Sequence, residues 1–559
     1  MKPAKKIVLT GIIFVVIAAV LFWVMLPPIN LQAQSFYMWL FFSLLLTALL
    51  TGPFMRRDRQ SRFDTQFDPR NPASFFASVF GSRQETMGKG RFRLSLMTLA
   101  GAVILIMLLC HVLSLDIFHA KTYANRIVPV DGEAADLPTS EDVDHISLMD
   151  TDSARILGNR VIGSLSDVVS QFEVSEDYNT LVCQDKVIKV VPLDYGGFFK
   201  FVNNYRNGTP GYVKVDTQSF DATFVRLEKG LRYTPNGYFF KNLARHVRLM
   251  HPTAIIDSAR FEIDEDGNPY WVNTVYGRKF LFGGDVVKGA IVTDPYTGQS
   301  DYYKLADIPD WVDIVFTGNF TTTLYDSYGM LRNGWLNSVI SQKGCLKTTD
   351  DFGYLAKGKD IYIYTGITSV AADQSNLGFI MVNARTGDCT YVACAGAEEY
   401  SAMSAAQGAL QNYGYRASFP SLVTVDGVPT YVMVLKDTAG LIKDYAAVNV
   451  TNYTIVSTGA SLDAALADYR TLLKRDNIAV EEDEENAVTA DIVVDRLSLA
   501  STGGDTWAYL ITADDTIYKI AVAADERVVA LEAGDKVTVT YAAVRAEDEV
   551  IPLMSLTIR

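Results

Sequence analysis

Histidine and cysteine are scarce in this chain, with five of each in 559 residues, and that scarcity removes much of the chemistry open to a large protein. His246 and His251 in HVRLMH lie five apart, which on a helix separates them by about 140°. That misses the i, i+4 spacing of a zinc hydrolase, and no glutamate adjoins them. No G-x-S-x-G, P-loop or G-x-G-x-x-G is present. Acid–base work would therefore fall to carboxylates that no spacing singles out. Glu262, Asp264, Glu265 and Asp266 crowd into FEIDEDGNPY, but without the alternating ligands and closing glutamate of an EF-hand they read as a β-turn. We expect no metal and no cofactor. Cysteine builds no visible framework either. Cys389 and Cys394 in CTYVAC sit on one strand with Cα atoms roughly 16 Å apart, beyond the ~7 Å that a disulfide spans. The state of Cys183 and Cys345 is open at this level.

Charge is missing where it is most telling. Three uncharged runs, Ile7 to Leu26, Phe36 to Phe54 and Leu94 to Leu115, approach the ~20 residues that carry a helix across a bilayer. The first is longer than the ~7–15-residue apolar core of a signal peptide, and a second run follows it at once. The connection PPINLQAQS has no charge, whereas Met55 to Arg93 holds nine Lys and Arg against four acidic residues. Cationic loops stay cytoplasmic, so the N-terminus and this loop are expected inside and everything after Leu115 outside. The first 115 residues carry 12 Lys and Arg against 4 Asp and Glu, so of a net charge of −14 the remainder holds −22. An exterior so acidic does not suit nucleic acid or anionic lipid, and the lipid bilayer is met through the anchor. No span carries an acid, Lys or Arg, which disfavours a transporter subunit.

Beyond the membrane one pattern recurs. In DGNPYWV a strand (Pro269 to Val272) is followed by a loop, then by GAIVTD (Gly289 to Asp294), a turn ending at Gly298, and QSDYYKLADIPDWV. GFIMVN (Gly378 to Asn383), a turn ending at Gly387, and CTYVACAGAEEYSAMSAAQ follow DIYIYTG. Asp294 or Asn383 can bond the backbone two residues on, and Gly298 or Gly387 supplies the left-handed residue that closes the hairpin. A third copy runs from Asp426 to Tyr469 and a weaker one from Val187 to Gly230. There Phe220 and Tyr453 replace the glycine, so a different turn is expected. A helical stretch follows each hairpin, clearest in SLDAALADYRTLLKR. The stretch Asp266 to Gly298, which has the look of a ligand site, therefore reads as a hairpin of this repeat.

These short glycine turns, followed by apolar alternation and Asp-x-x-Thr-Gly, make the region resemble the PepSY-like and cystatin-like α+β modules of bacterial exported proteins, over about Val187 to Tyr469. The whole chain is similar to multi-pass envelope proteins of Gram-positive-type bacteria. The resemblance implies a tethered module that binds or restrains an envelope protein, with no catalytic residues to carry over.

The fold class expected is an α-helical membrane anchor plus an α+β ectodomain of repeated hairpin-helix units, with a C-terminal small β-barrel of the OB or SH3-like kind. Its parts are the anchor (1–120), a linker and membrane-proximal helix (121–180), two pairs of units (181–345 and 346–480), an acidic hinge (481–489) and the barrel (490–559). Tyr270, Trp271, Tyr302, Tyr303, Trp311, Tyr325, Tyr328 and Trp335 are dense around the second unit and are the candidate surface for an envelope protein or cell-wall polymer. The function expected is that of a non-catalytic extracytoplasmic scaffold. The competing reading is an envelope hydrolase, or a regulator of an envelope protease, using carboxylates such as Asp264, Asp294 and Asp301.

Overall fold

In the computed structural model the described residues are 3–56, 94–140, 148–370, 375–475, 487–502, 505–522, 525–542, 550–553 and 555–558. Residues 57–93 of the basic loop and 481–486 of the acidic hinge fall outside them. Pro3–Met25 and Gln34–Arg56 are helices of 23 residues each. With Leu94–Leu113 they make three helices long and apolar enough to cross a membrane. The first stops where Pro27 and Pro28 cannot continue it. It packs against the second, with the Trp39 indole donating to the Ala18 carbonyl at 3.0 Å.

The ends of the spans nearest Leu26 and Ser114 are tied to the sheet-rich region. Arg248 Nε donates to the Leu26 carbonyl at 3.0 Å, Ile29 N to Pro252 O at 2.7 Å, and Asn30 Nδ2 to Thr253 O at 3.0 Å. At the third span Phe282 N donates to Ser114 Oγ at 3.1 Å, and the Tyr123 hydroxyl to Ser114 O at 2.8 Å. The tip of the hairpin quoted above thus rests on the membrane helices, with the Phe282 ring 5.4 Å from that of Tyr37.

Four sheets follow, built alike and antiparallel except that Val130–Gly132 joins the third in parallel beside Cys389–Ala397. In each, two short strands pair in succession along one long strand, which continues antiparallel through two more. The long strands are Lys186–Tyr195, Pro269–Phe280, Asp360–Ser369 and Val428–Lys436. Helices Leu243–Met250, Gly318–Leu331, Glu399–Ala409 and Leu462–Arg475 come after the first to fourth sheets respectively. The second sheet corrects one expectation. Its strands do not break after Val272 but run on to Phe280 and return from Gly283, because buried Asn273 and Thr274 bond to the Asp257 carbonyl and carboxylate.

The turn chemistry is as read from the sequence at two sites. Asp294 Oδ1 accepts from Tyr296 N at 2.7 Å and Asn383 Oδ1 from Arg385 N at 2.9 Å, with Gly298 and Gly387 at φ of 82° and 83°. The first sheet departs from the expectation of a different turn. Asp216 Oδ1 accepts from Gln218 N at 2.9 Å, and Phe220 takes the left-handed conformation at φ 56° although it is not glycine. Its ring packs beside Val213 and Val215, so burial offsets a backbone strain that glycine would have avoided.

Strands here read as continuous apolar runs because both faces are covered. Leu181 and Ile188 of the first sheet share a core with Phe261, Trp271 and Ile291 of the second. Val272 and Ala290 meet Ile367 and Ile380 of the third, and Tyr364 and Phe379 meet Tyr431 and Met433 of the fourth. Val182 and Val187 also reach Ile361 and Ile363, bringing the first and third sheets together.

The C-terminal unit has its own core, including Val494, Ala508, Leu510 and Val537. It contains a three-stranded and a four-stranded sheet, and no closed barrel is formed among the described residues. The apolar stretch DIVVDRLSLA divides at Val494 and Asp495 between Ala487–Val493 and Arg496–Thr502, which belong to different sheets.

Candidate functional site

Lysine 189 stands in VIKVV, the only cation between valines and isoleucines on a strand buried on both faces. Cross-strand pairing sets it opposite Thr180, and its Nζ donates to Thr180 Oγ1 at 2.7 Å. The residue is 6% exposed. Burial pushes the ammonium down to about 8, against the opposing charge of Asp150.

Lys189 lines a cavity of about 340 Å³, with walls from the first, third and fourth sheets. Phe352, Tyr354, Tyr364 and Phe419 supply aromatic surface, and Asp150, Thr180 and Ser421 supply polar groups. The volume is at the lower end of the ~300–1,000 Å³ typical of small-ligand sites. Asp150 is already engaged: its Oδ1 caps the helix Thr151–Gly163 by accepting from Ser153 N at 2.9 Å, and its other oxygen pairs with Lys436. Burial raises the Asp150 carboxyl, but hydrogen bonds from Lys436 and Ser153 outweigh it and hold the group below its usual range. Lys189 has three N–H donors and one hydrogen bond among the described residues. The buried Tyr364 hydroxyl on the same wall has no partner among the described residues. An aromatic-walled cleft that holds a desolvated ammonium suits a ligand with an apolar body and an acceptor or anionic oxygen.

Three other buried acids serve as ties. Glu262 Oε2 accepts from Asp313 N at 2.9 Å, and Asp313 Oδ2 from Val182 N at 2.8 Å, joining the second sheet, its outgoing segment and the first sheet. Burial raises Glu262 to about 7 although Arg260 opposes it. Burial also lifts Asp313 well above the usual carboxylate range, the Glu262 charge adding to it. Glu399 Oε1 accepts from Gly366 N at 2.9 Å, and burial raises its carboxyl to about 7.

The aromatic residues singled out from sequence do not form one open face. Trp271 is 2% exposed, with its indole donating to the Tyr233 carbonyl at 2.9 Å, and Tyr325 is 1% exposed. Neither has surface to offer a partner, because both fill cores between layers. Tyr270 stacks near Trp311 with ring centres 4.6 Å apart, and Tyr303 and Tyr328 pack against the same core. Trp335 lies against Tyr123 and Leu331. Only Tyr302, at 44%, is exposed beyond a third, and its hydroxyl donates to the Lys288 carbonyl. Asp264 and Asp294 hold turns together, and Asp301 accepts from Gln299. His246 and His251 bond to Gly298 and Ser300, and no metal-binding group is found among the described residues. The cysteines are free, and Cys183, Cys345, Cys389 and Cys394 are buried. No motif singles out Lys189, and its signal in the sequence is a lone cation inside an unbroken β-branched run.

No family model and no curated protein matches the chain. Among solved structures, a mutant levansucrase of B. megaterium aligns over 76% of this chain and 97% of its own at 9% identity, with a TM-score of 0.19. A chimera of apocarotenoid oxygenase and RPE65 aligns over 69% and 62% at 8% identity, with a TM-score of 0.12. Likeness at this level carries no argument about fold or function.

Proposed function

We propose that the protein is a membrane-anchored, extracytoplasmic binding protein of the envelope, non-catalytic, whose ligand enters the Lys189 cleft. The observation that carries this reading is a buried ammonium on the wall of an aromatic cavity whose hydrogen-bond partner among the described residues is one neutral hydroxyl. Charge narrows the ligand. The region after Leu115 holds −22, so a polyanion is repelled at long range. A single carboxylate at the end of an otherwise uncharged chain meets no such barrier and satisfies Lys189 directly. The ligand class is therefore a peptide carboxylate of an envelope protein or of a wall peptide. The placement outside the cell rests on the charge contrast between the two short loops, and the repeat rests on its resemblance to PepSY-like modules.

The test is thermal unfolding of the full chain in detergent with N-acetyl-phenylalanyl-phenylalanine and with its C-terminal amide. The free acid should raise the midpoint, by the equivalent of about 2.7 kcal/mol at one hundred times Kd, and the amide should not. Lys189→Met should abolish the response while leaving the ligand-free protein as stable or more so, since it removes a desolvated charge of similar volume. An equal response from acid and amide, or an unchanged response in Lys189→Met, would contradict the assignment.

A further inference from the structure

Two segments distant in sequence place phenylalanines together on the surface. Phe198 and Phe199 open the helix Phe198–Asn204, and Phe239 and Phe240 open the short turn Phe239–Lys241. Phe198 packs edge-on to Tyr238 at 5.1 Å and lies 6.2 Å from Phe239. The four rings are nonetheless open: Phe199 is 80% exposed, Phe240 64%, Phe239 55% and Phe198 40%. Single exposed apolar residues are ordinary, but a contiguous aromatic patch marks a surface that meets something apolar. Phe239 also holds φ 53°, a left-handed conformation that bulky residues avoid, and it leaves the ring facing outward.

The first membrane helix shows what the patch meets. Trp23 lies near the end of that helix, and the Phe240 ring is 4.9 Å from it, edge to face. The Arg245 guanidinium sits 4.4 Å over the same indole. Leu249 and Met250, also exposed, follow on the helix whose Arg248 grips the Leu26 carbonyl. Aromatic rings beside the end of a span, with Arg245 over one of them and Lys200 and Lys241 on the same two segments as the phenylalanines, are the composition of a headgroup-level belt. We propose that Phe198, Phe199, Phe239 and Phe240 insert into the bilayer interface beside the first span, so that the first sheet is held against the lipid surface as well as by the spans. The occupant is lipid, because the patch is continuous with a helix that already lies in it. The phenyl rings enter the headgroup and upper acyl region, and the cationic groups stay level with the phosphates.

The experiment places a nitroxide on Phe199→Cys in the full chain carrying Cys110→Ser, reconstituted in nanodiscs of phosphatidylcholine and phosphatidylglycerol. A second label on Tyr453→Cys, 52% exposed in the fourth sheet's turn, serves as the solvated reference. Collisions with oxygen should exceed those with an aqueous nickel chelate several-fold at position 199 and be the fewer of the two at 453. Equal access of the nickel chelate to both positions would overturn the proposal and leave the patch to a protein partner. Both positions are exposed, so neither label disturbs the fold.

Discussion

Arg260→Met is expected to lower the free energy of unfolding by about 3–5 kcal/mol, the cost of stripping a buried ion pair of one partner. Each nitrogen of Arg260 is engaged: Nη1 pairs with Asp257 at 2.7 Å, Nη2 donates to Thr274 Oγ1 at 2.6 Å and Nε to the Ile314 carbonyl at 3.2 Å. The side chains of Arg260 and Asp257 are 12% and 20% exposed, so water does not replace the lost partner. Asp257 in turn receives Thr274 N and bonds the Tyr276 hydroxyl, so the damage reaches the long strand of the second sheet. Glu262, whose ionised form Arg260 favours, would also be left more costly to charge. Urea unfolding of the solubilised chain measures the change. The double variant with Asp257→Asn should recover part of the loss, because no unpaired charge remains. A loss below about 1 kcal/mol, the range of an exposed pair, would contradict this role.

The second large effect is a fall in stability as pH rises from 5 to 7.5. Glu262 and Glu399 have folded-state values near 7 against an ordinary 4.5. Between those values the folded protein binds more protons than the unfolded chain, so their stabilisation is complete below about 4.5 and is lost as pH rises through 7. Each shift corresponds to something on the order of 3 kcal/mol. Asp194, raised to about 6, and Asp313 act in the same direction. Lys189 works oppositely. Its folded value is lowered from 10.5 to about 8, so below 8 the unfolded chain is favoured by protonation and stability returns as pH rises toward 10.5. The carboxyls held below their ordinary range, Asp150 and Asp216, are ionised throughout this window and do not change its slope. A minimum between about pH 7 and 8 is the expected profile. Glu262→Gln should remove about one carboxyl's share of the decline, and a flat profile from pH 5 to 9 in the unaltered protein would contradict the account.

The parts legible in the sequence were those set by local chemistry. Uncharged length marks the spans, and Asp294, Gly298, Asn383 and Gly387 mark turns whose hydrogen bonds lie within five residues. What escaped depends on contacts between sheets. Phe220 adopts a glycine-like conformation because its ring enters a core assembled from other strands. Asn273 and Thr274 look like a break in a strand until Asp257 is seen to satisfy them. Trp271 and Tyr325 resemble binding residues in a linear chain, and only the stacking of layers shows that both faces around them are covered. The cleft was equally hidden, since its walls come from residues 148–421 and no segment carries more than a fragment of it.

Under the proposed function the four-sheet region lies outside the cell. Cysteine accessibility in intact cells tests it most directly. Cys183, Cys345, Cys389 and Cys394 are buried, and Cys110→Ser removes the thiol of the third span, so an introduced cysteine dominates the signal. Tyr413 is 68% exposed in the four-sheet region, and Ser82 lies in the basic loop between the second and third spans. With a membrane-impermeant maleimide, Tyr413→Cys should react in unbroken cells and Ser82→Cys only after permeabilisation. Labelling of Ser82→Cys in unbroken cells with Tyr413→Cys protected would invert the protein and place the Lys189 cleft in the cytoplasm.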